Sequence, residues 1–221
     1  VLDITGKIAN MMFGDAIKSA TELYDAQKSF ENQMGSIGKS NQWINANLKA
    51  LNEYGAKSKY SIAEMVDAFA QFEGMGRKGA MQLVTGVAGI SSYSKNASQA
   101  MKGVNYQLFQ MSDNTKVLNS DWRAIRNNIG GAATQAIMDW LKVNKGIEVT
   151  KETLSKGNLE AHDLFDAITA VGNTSRFQSM AKQVNTVSSA MENLQETMTA
   201  QLVGTGAEKG PLSNVYEGWI K

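Results

Sequence analysis

The sequence contains no cysteine and only one histidine, His162. These two absences exclude disulfide bonds, cysteine nucleophiles, thiolate zinc sites and every site that needs two histidines. Enzyme classes that depend on such groups are therefore excluded. A chain without cysteine suits a reducing cytosol, but disulfide-free proteins also occur outside cells, so the compartment stays open.

The chain also lacks an excess of charge of either sign. Its 22 basic residues nearly balance its 21 acidic residues, so we predict no specific nucleic-acid partner and no attraction to an anionic membrane. The longest uncharged stretch, Gly79 to Ser94, is shorter than the roughly 20 apolar residues that span a bilayer, and we predict no membrane span. No signal-peptide pattern opens the sequence, and we expect the chain to be a segment of a longer protein.

Proline is nearly absent, with one proline against twenty glycines. Proline breaks helices, whereas glycine commonly sits in the caps and turns between them. The single proline, Pro211, lies in the stretch Gly204 to Pro211, which we predict to be a loop or linker. The sequence upstream of that stretch is free to be helical.

Apolar residues recur at steps of three and four along most of the chain, which predicts amphipathic helices. The first covers 16–34 and is ended by Gly35, and the second covers 41–54 and is capped by Gly55. A third begins at Ser61, where Ser61 and Glu64 have the spacing of a capping box, and ends near Gly74. Later helices are predicted to begin near Gly79, after Asn96, at Asn119 or Ser120, after Gly131, at Glu160 and near Val184.

These patterns predict an all-α fold, a multi-helix globular bundle with longer amphipathic helices at both ends and no sheet of any size. We divide it into a helical lead-in over 1–38, a helical domain over 39–203, and a linker or start of a further segment over 204–221. Residues on apolar faces or at motif junctions are expected to share one core. They are Met65, Phe69, Phe72, Val87, Leu108, Trp122, Ile125 and Trp140.

The sequence around His162 is the first candidate for chemistry. With Glu160, Asp163 and Asp166 it could surround an imidazole or a metal ion with carboxylates. The alternative, which we favour, is a solvated first helical turn in which acidic side chains interact well with the helix dipole. Two carboxylate pairs have the helical spacing that places both groups on one face, and glycosidase chemistry needs two carboxyls, but such pairs occur on almost any helical surface, so we favour a solvated face. These pairs are Glu22 with Asp25 and Asp163 with Asp166.

Two groups of glycines are the second candidate for a functional site. Gly74, Gly76 and Gly79 lack the lysine and hydroxyl of a phosphate loop and follow a helix, so we interpret them as caps and a tight turn. Gly86 and Gly89 are predicted to allow close helix packing. We therefore predict no catalytic residue, no cofactor-binding residue and no metal ligand.

The run Gln107 to Ile125, QLFQMSDNTKVLNSDWRAI, resembles a signature of phage tail tape measure proteins. In that signature a helix leads to a turn with Gly-Lys-Val or Gly-Lys-Leu, and Asp-Trp or Asp-aliphatic opens the next helix. Lys116, Val117, Asp121 and Trp122 match it, whereas Thr115 stands where glycine is usual. Further stretches resemble the family in its order, from Leu48 to Leu202. They are residues 60–77, 92–101, 154–168 and 184–198.

The resemblance implies a structural, non-catalytic role. Proteins of this family serve as long helical scaffolds around which tail tube subunits polymerise, and thereby set tail length. Tail tube and tail assembly proteins would then be the partners, and the virion tail, with the host cytoplasm during assembly, the location. Since the full chains are much longer, this domain is not expected to measure length alone.

Two alternatives and one further partner stay open. The chain could be a helical adaptor or regulatory interaction domain, or, less favoured, a tail-associated cell-wall hydrolase domain. The apolar stripes near both ends could also mediate self-association through helical seams. These stripes are Ile17, Leu23, Tyr24 and Phe30 at one end, and Val184, Val187, Met191, Leu194 and Met198 at the other.

Overall fold

The computed structural model describes residues 2–112, 114–182, 196–205 and 208–220, and its fold is all-α, as predicted. A two-residue antiparallel hairpin is formed by β1 (Gly204–Thr205) and β2 (Glu208–Lys209). The helices are α1 (Leu2–Ser36), α2 (Asn41–Gly55), α3 (Ile62–Gly74), α4 (Ala80–Ser91), α5 (Ala97–Met111), α6 (Asn119–Lys145), α7 (Lys151–Ser155), α8 (Ala161–Gly172), α9 (Ser175–Ala181), α10 (196–203) and α11 (Pro211–Ile220).

The capping patterns in the sequence predicted the starts of α3 and α5 correctly. At α3, the Glu64 amide donates to the Ser61 hydroxyl oxygen and the Ser61 amide donates to the Glu64 carboxylate, both at 3.2 Å, so the predicted capping box is confirmed. At α5, the Asn96 side chain accepts from the Gln99 amide at 3.0 Å, as predicted. Helix α1, in contrast, begins well before the predicted residue 16.

The start of α6 differs from the prediction. Neither Asn119 nor Ser120 is the cap; Leu118 precedes the helix in extended conformation, and its amide donates to the Asp121 carboxylate at 3.0 Å. The acidic side chain reaches back along the helix axis, so the helix begins at Asn119 itself. The break predicted at the two glycines is confirmed as a kink, because Gly130 has φ 76° and ψ 175° within an otherwise helical stretch.

The described residues form two compact units, one from 2–70 and 196–220 and the other from 71–182. In the first unit, α1 and α2 pack through buried apolar side chains, and three aromatic rings cluster where α1, α2 and α3 meet. The Phe30 ring lies 5.6 Å from that of Phe69 and 6.3 Å from that of Trp43, and Trp43 lies 5.8 Å from Phe69. These distances are typical of favourable aromatic pairs.

In the second unit, α4 is the central helix. It packs on α5, α6, α8 and α9, and most of its residues are buried, which agrees with its nearly uncharged sequence. Helix α5 packs on α6, and α6 packs on α8. The candidate site lies in this second unit.

The predicted core is confirmed for seven of its eight residues, which are buried, and it is wrong for Trp140, which is half-exposed. In the second half of α6 the buried stripe runs through Ala133, Ile137 and Leu141. Trp140 lies beside this stripe and not on it. Met65 and Phe69 belong to the first unit and the other residues to the second, and the expectation that they share a single core stays a prediction.

The apolar stripes near the chain ends differ in burial. In α1, Leu23, Tyr24 and Phe30 are buried, whereas Ile17 is 50% exposed. In α10, Met198 is half-buried. The stripe residues Val184, Val187, Met191 and Leu194 lie outside the described residues.

Within the described part of the chain, no helix is both long enough and apolar enough to cross a membrane. The division into segments 1–38, 39–203 and 204–221 stays a prediction.

The two tryptophans of α6 provide a matched test of core packing. We expect Trp122→Ala to lower the free energy of unfolding by about 3–5 kcal/mol, because Trp122 is 4% exposed and its loss leaves a cavity. Trp140→Ala should cost clearly less, since Trp140 is half-exposed. Urea unfolding followed by circular dichroism measures both. Equal losses would contradict the placement of Trp122 in the core.

The kink in α6 predicts opposite effects at adjacent glycines. Gly130→Ala should destabilise the protein by about 1–3 kcal/mol, since its φ and ψ lie in a region that is essentially restricted to glycine. Gly131 is helical, and a Cβ added to it would meet no atom within 4 Å, so Gly131→Ala should stabilise by about 0.5–1 kcal/mol. Thermal unfolding compares the two. A stabilising Gly130→Ala would show that the kink is not fixed by this residue.

Candidate functional site

The tape-measure-like run Gln107 to Ile125 comprises the end of α5, a turn, and the start of α6. The turn pairs with the link between α7 and α8, which belongs to another of the resembling stretches. The Val117 amide donates to the Leu159 carbonyl oxygen and the Ala161 amide donates to the Thr115 carbonyl oxygen, both at 2.9 Å. Lys116 and Glu160 form an isolated antiparallel β-bridge. We call this pairing of 115–117 with 159–161 the motif junction.

Burial and backbone conformation explain which residue types occupy the motif junction. Val117 and Leu159 are fully buried, and Trp122 follows one turn into α6. Gly157 has a left-handed φ of 67°, which favours glycine there, and the nearest atoms to an added Cβ belong to the flexible end of the Lys116 side chain, which can move aside. Thr115 has no positive φ, so the turn does not need the glycine that is usual at this position. The junction is therefore a packing and pairing element.

His162 lies beside the motif junction, in the first turn of α8. Its Nδ1 is 3.1 Å from a Glu160 carboxylate oxygen and its Nε2 is 3.2 Å from Oδ1 of Asp163. The His162 side chain is 57% exposed, which agrees with a solvated turn, whereas Asp163 is buried, which does not.

Lys145, at the end of α6, compensates the buried carboxylate. Its Nζ lies 2.9 Å from Asp163 and 3.3 Å from Asp166. Hydrogen bonds to these two carboxylates raise the pKa of Lys145 above its ordinary value, in spite of the opposing effect of desolvation. An amine held in its charged form between two carboxylates offsets one negative charge and donates hydrogen bonds to both, which favours an ion-pair network over acid–base chemistry. Among the described residues, no group of three or more acidic or histidine side chains suits a metal ion.

Next to this network is a hollow of about 370 Å³, lined by the connection between α3 and α4, the end of α5, and α8. We call it the Arg77 hollow; its lining residues are Met75, Gly76, Arg77, Lys78, Ser112 and Phe165. The guanidinium carbon of Arg77 lies 4.1 Å from the centroid of the Phe165 ring, and its Nη2 lies 3.8 Å from Oδ1 of Asp166. Burial lowers the pKa of Arg77, an effect that Asp166 partly offsets.

The sequence did not indicate Arg77, Lys145 or Phe165 as members of a site. Their partners lie on other helices, and no local spacing joins them. The only available signal was Lys145 in the last turn of a predicted helix, where a cation interacts well with the helix dipole.

Four glycines in and before α4 have the conformations or contacts that were predicted for them. Gly76 and Gly79 have left-handed φ values of 69° and 78°, as turn and cap glycines do. Gly86 and Gly89 lie where α4 meets α8, and a Cβ on either would collide with the α8 backbone. Close packing of these helices, as predicted, is therefore confirmed.

The first unit contains a separate group of carboxylates. Glu22 and Asp25 are exposed on α1, as expected for a solvated face. Glu196 of α10 instead accepts a hydrogen bond from the Ile62 amide at 3.2 Å, at the start of α3. Burial raises the pKa of Glu196, the Ile62 hydrogen bond lowers it, and the nearby charges of Glu64 and Glu22 raise it, so that the net shift is upward.

The raised pKa of Glu196 predicts a pH-dependent stability. A carboxyl whose pKa is higher in the folded than in the unfolded state penalises folding when ionised, and this penalty disappears as the pH falls through the folded pKa. Glu196→Gln removes the charge and keeps an acceptor for the Ile62 amide. We expect it to raise the melting temperature at neutral pH, with a gain that shrinks towards about pH 4.

The exposed Glu53 of α2 provides the matched control. We expect Glu53→Gln to show no comparable change with pH in thermal unfolding. A gain for Glu196→Gln that stays constant with pH, or a loss at neutral pH, would contradict the role assigned to burial.

The sequence matches the family described as tape measure protein over residues 18–206. No curated protein and no solved structure matches the chain. The match spans most of the chain and includes the motif junction, the Arg77 hollow and the carboxylate group at α3. This chain therefore belongs to the tape measure protein family, whose members are structural proteins of phage tails.

Proposed function

We propose that this chain is a non-catalytic scaffold segment that takes part in tail tube assembly and so contributes to setting tail length. The observation that carries the proposal is the family match over residues 18–206. Its partners would be tail tube and tail assembly proteins, first in the host cytoplasm and then in the virion tail. Length would be measured by the whole protein, with this domain supplying contacts.

The contacts of the carboxylates support a non-catalytic role. A glycosidase needs two carboxyl groups on either side of a substrate cleft, one of them protonated. Asp163 and Asp166 instead form ion pairs with Nζ of Lys145, at 2.9 Å and 3.3 Å. Glu196 has a raised pKa, but its Oε2 accepts from the Ile62 amide and it lines neither the Arg77 hollow nor the small hollow beside Lys28. Release of peptidoglycan fragments by the purified chain would overturn this part of the proposal.

The scaffold role can be tested in the phage that encodes the chain. We expect Trp122→Glu to abolish complete tails in electron micrographs of lysates, because a buried charge disrupts the second unit. Val143→Glu is the matched control, since Val143 is 82% exposed on the same helix and a charge there meets water. Normal tails with Trp122→Glu would show that the folded domain is not needed for assembly.

Self-association through the end stripes remains part of the proposal. In α1, three of the four stripe residues are buried within the first unit, which leaves Ile17 exposed for contact. Sedimentation equilibrium of the chain, compared with Val187→Glu combined with Leu194→Glu, tests the stripe of the last predicted helix. A monomeric parent together with an unfolded double variant would assign that stripe to intramolecular packing.

A further inference from the structure

The Arg77 hollow combines an apolar surface with two adjacent cations. Met75 and Phe165 contribute apolar atoms, and Arg77 and Lys78 contribute positive charge. Its volume of about 370 Å³ lies within the range of small-molecule pockets and is ample for one side chain. All of its lining residues belong to the second unit.

Within the described part of the chain, the guanidinium of Arg77 is held in place but incompletely paired. Its guanidinium carbon lies over the Phe165 ring, 4.1 Å from the ring centroid, in a cation–π contact. Its ion pair with Asp166 is 3.8 Å long, which exceeds the length of a hydrogen bond. Asp166 also lies 3.3 Å from Nζ of Lys145, so its negative charge is shared between two cations.

A partly buried guanidinium gains most from a ligand that completes its hydrogen bonds. Its planar fork of N–H donors matches a carboxylate, which it binds with two parallel hydrogen bonds. The side-chain exposure of Arg77 is 24%, so the group has lost much of its hydration while it keeps access to solvent. Lys78, next to it on the rim, adds attraction for a negative group.

We propose that the Arg77 hollow binds a carboxylate side chain presented by an acidic segment of a partner protein. The half-buried Met75 side chain accepts the methylene groups of a glutamate, and Arg77, held over the buried Phe165 ring, and Lys78 receive its carboxylate. A nucleic-acid backbone fits less well, because its binding needs a basic stripe, and this chain carries 22 basic against 21 acidic residues. The inference goes beyond the scaffold function and does not depend on it.

The test is an NMR titration of the isotope-labelled 221-residue chain with an acetylated, amidated tetraglutamate peptide. We expect the Nε–H signal of Arg77 and the backbone amides of Gly76 and Lys78 to shift in a saturable way. A tetraglutamine peptide of the same length should leave them unchanged. Shifts that are absent, or equal for both peptides, would overturn the proposal.

Three variants locate the binding. Arg77→Met keeps apolar contact with Phe165 but removes the donors, and we expect it to weaken tetraglutamate binding about tenfold. Lys78→Ala, on the exposed rim, should weaken it about two- to threefold. Lys142→Ala is the control, because Lys142 is an exposed lysine of the same unit that pairs with Glu148 at 3.5 Å, and it should bind like the parent.

The affinities of two of these variants can also contradict the proposed binding site. Unchanged affinity in Arg77→Met would overturn the assignment, and if that variant fails to fold, unchanged affinity in Lys78→Ala would do so. A titration with inorganic phosphate distinguishes a carboxylate site from a phosphate site. Tighter binding of phosphate than of tetraglutamate at the same signals would identify a phosphate site and reject the acidic protein segment.

Discussion

The close approach of α4 and α8 is the contact on which the second unit depends. Gly86 and Gly89 face Gly172 so closely that a Cβ on any of the three would collide with the opposite backbone. Side chains add hydrogen bonds at this contact. Asn173, the residue after α8, donates to the Gln82 carbonyl oxygen at 2.7 Å. Gln178 of α9 donates to the carbonyl oxygens of Thr85 in α4, at 2.9 Å, and of Gly172 in α8, at 2.8 Å. Because α4 is also buried against α5, α6 and α9, a shift of this one contact would disturb every neighbour.

The features that the sequence predicted are those governed by short-range chemistry. The capping box at Ser61 and Glu64 and the cap at Asn96 each involve residues three positions apart, and the kink at Gly130 depends on one residue. The all-α fold follows from the same periodicity. Such signals are readable because both partners lie within one helical turn.

The remaining features depend on partners that are distant in the sequence. The pairing of Val117 with Leu159 and the contacts of Lys145 with Asp163 arise only when α6 and α8 pack together. The division into two units was also not predictable, because apolar stripes show that residues are buried but not against which helix. The wrong prediction that Trp140 is a core residue has the same origin. From the sequence alone, an aromatic residue beside a buried stripe of a helix cannot be distinguished from one within the stripe.

The residues that carry the family resemblance are structural ones. Val117 pairs and packs, Asp121 caps α6, and Trp122 is buried. A signature of this kind identifies residues that maintain the fold and gives no information about the partners of the protein. The Arg77 hollow involves none of these three residues, which is consistent with a division between residues that maintain the fold and residues that meet partners.

The order of the units along the chain has a mechanical consequence. The first unit contains residues from both ends, and contacts such as the hydrogen bond from Ile62 to Glu196 and the 3.5 Å ion pair of Lys28 with Glu217 connect its two segments. A tension applied to the two ends is therefore carried first by the contacts of this unit. The second unit, inserted between those segments, bears load only after they separate.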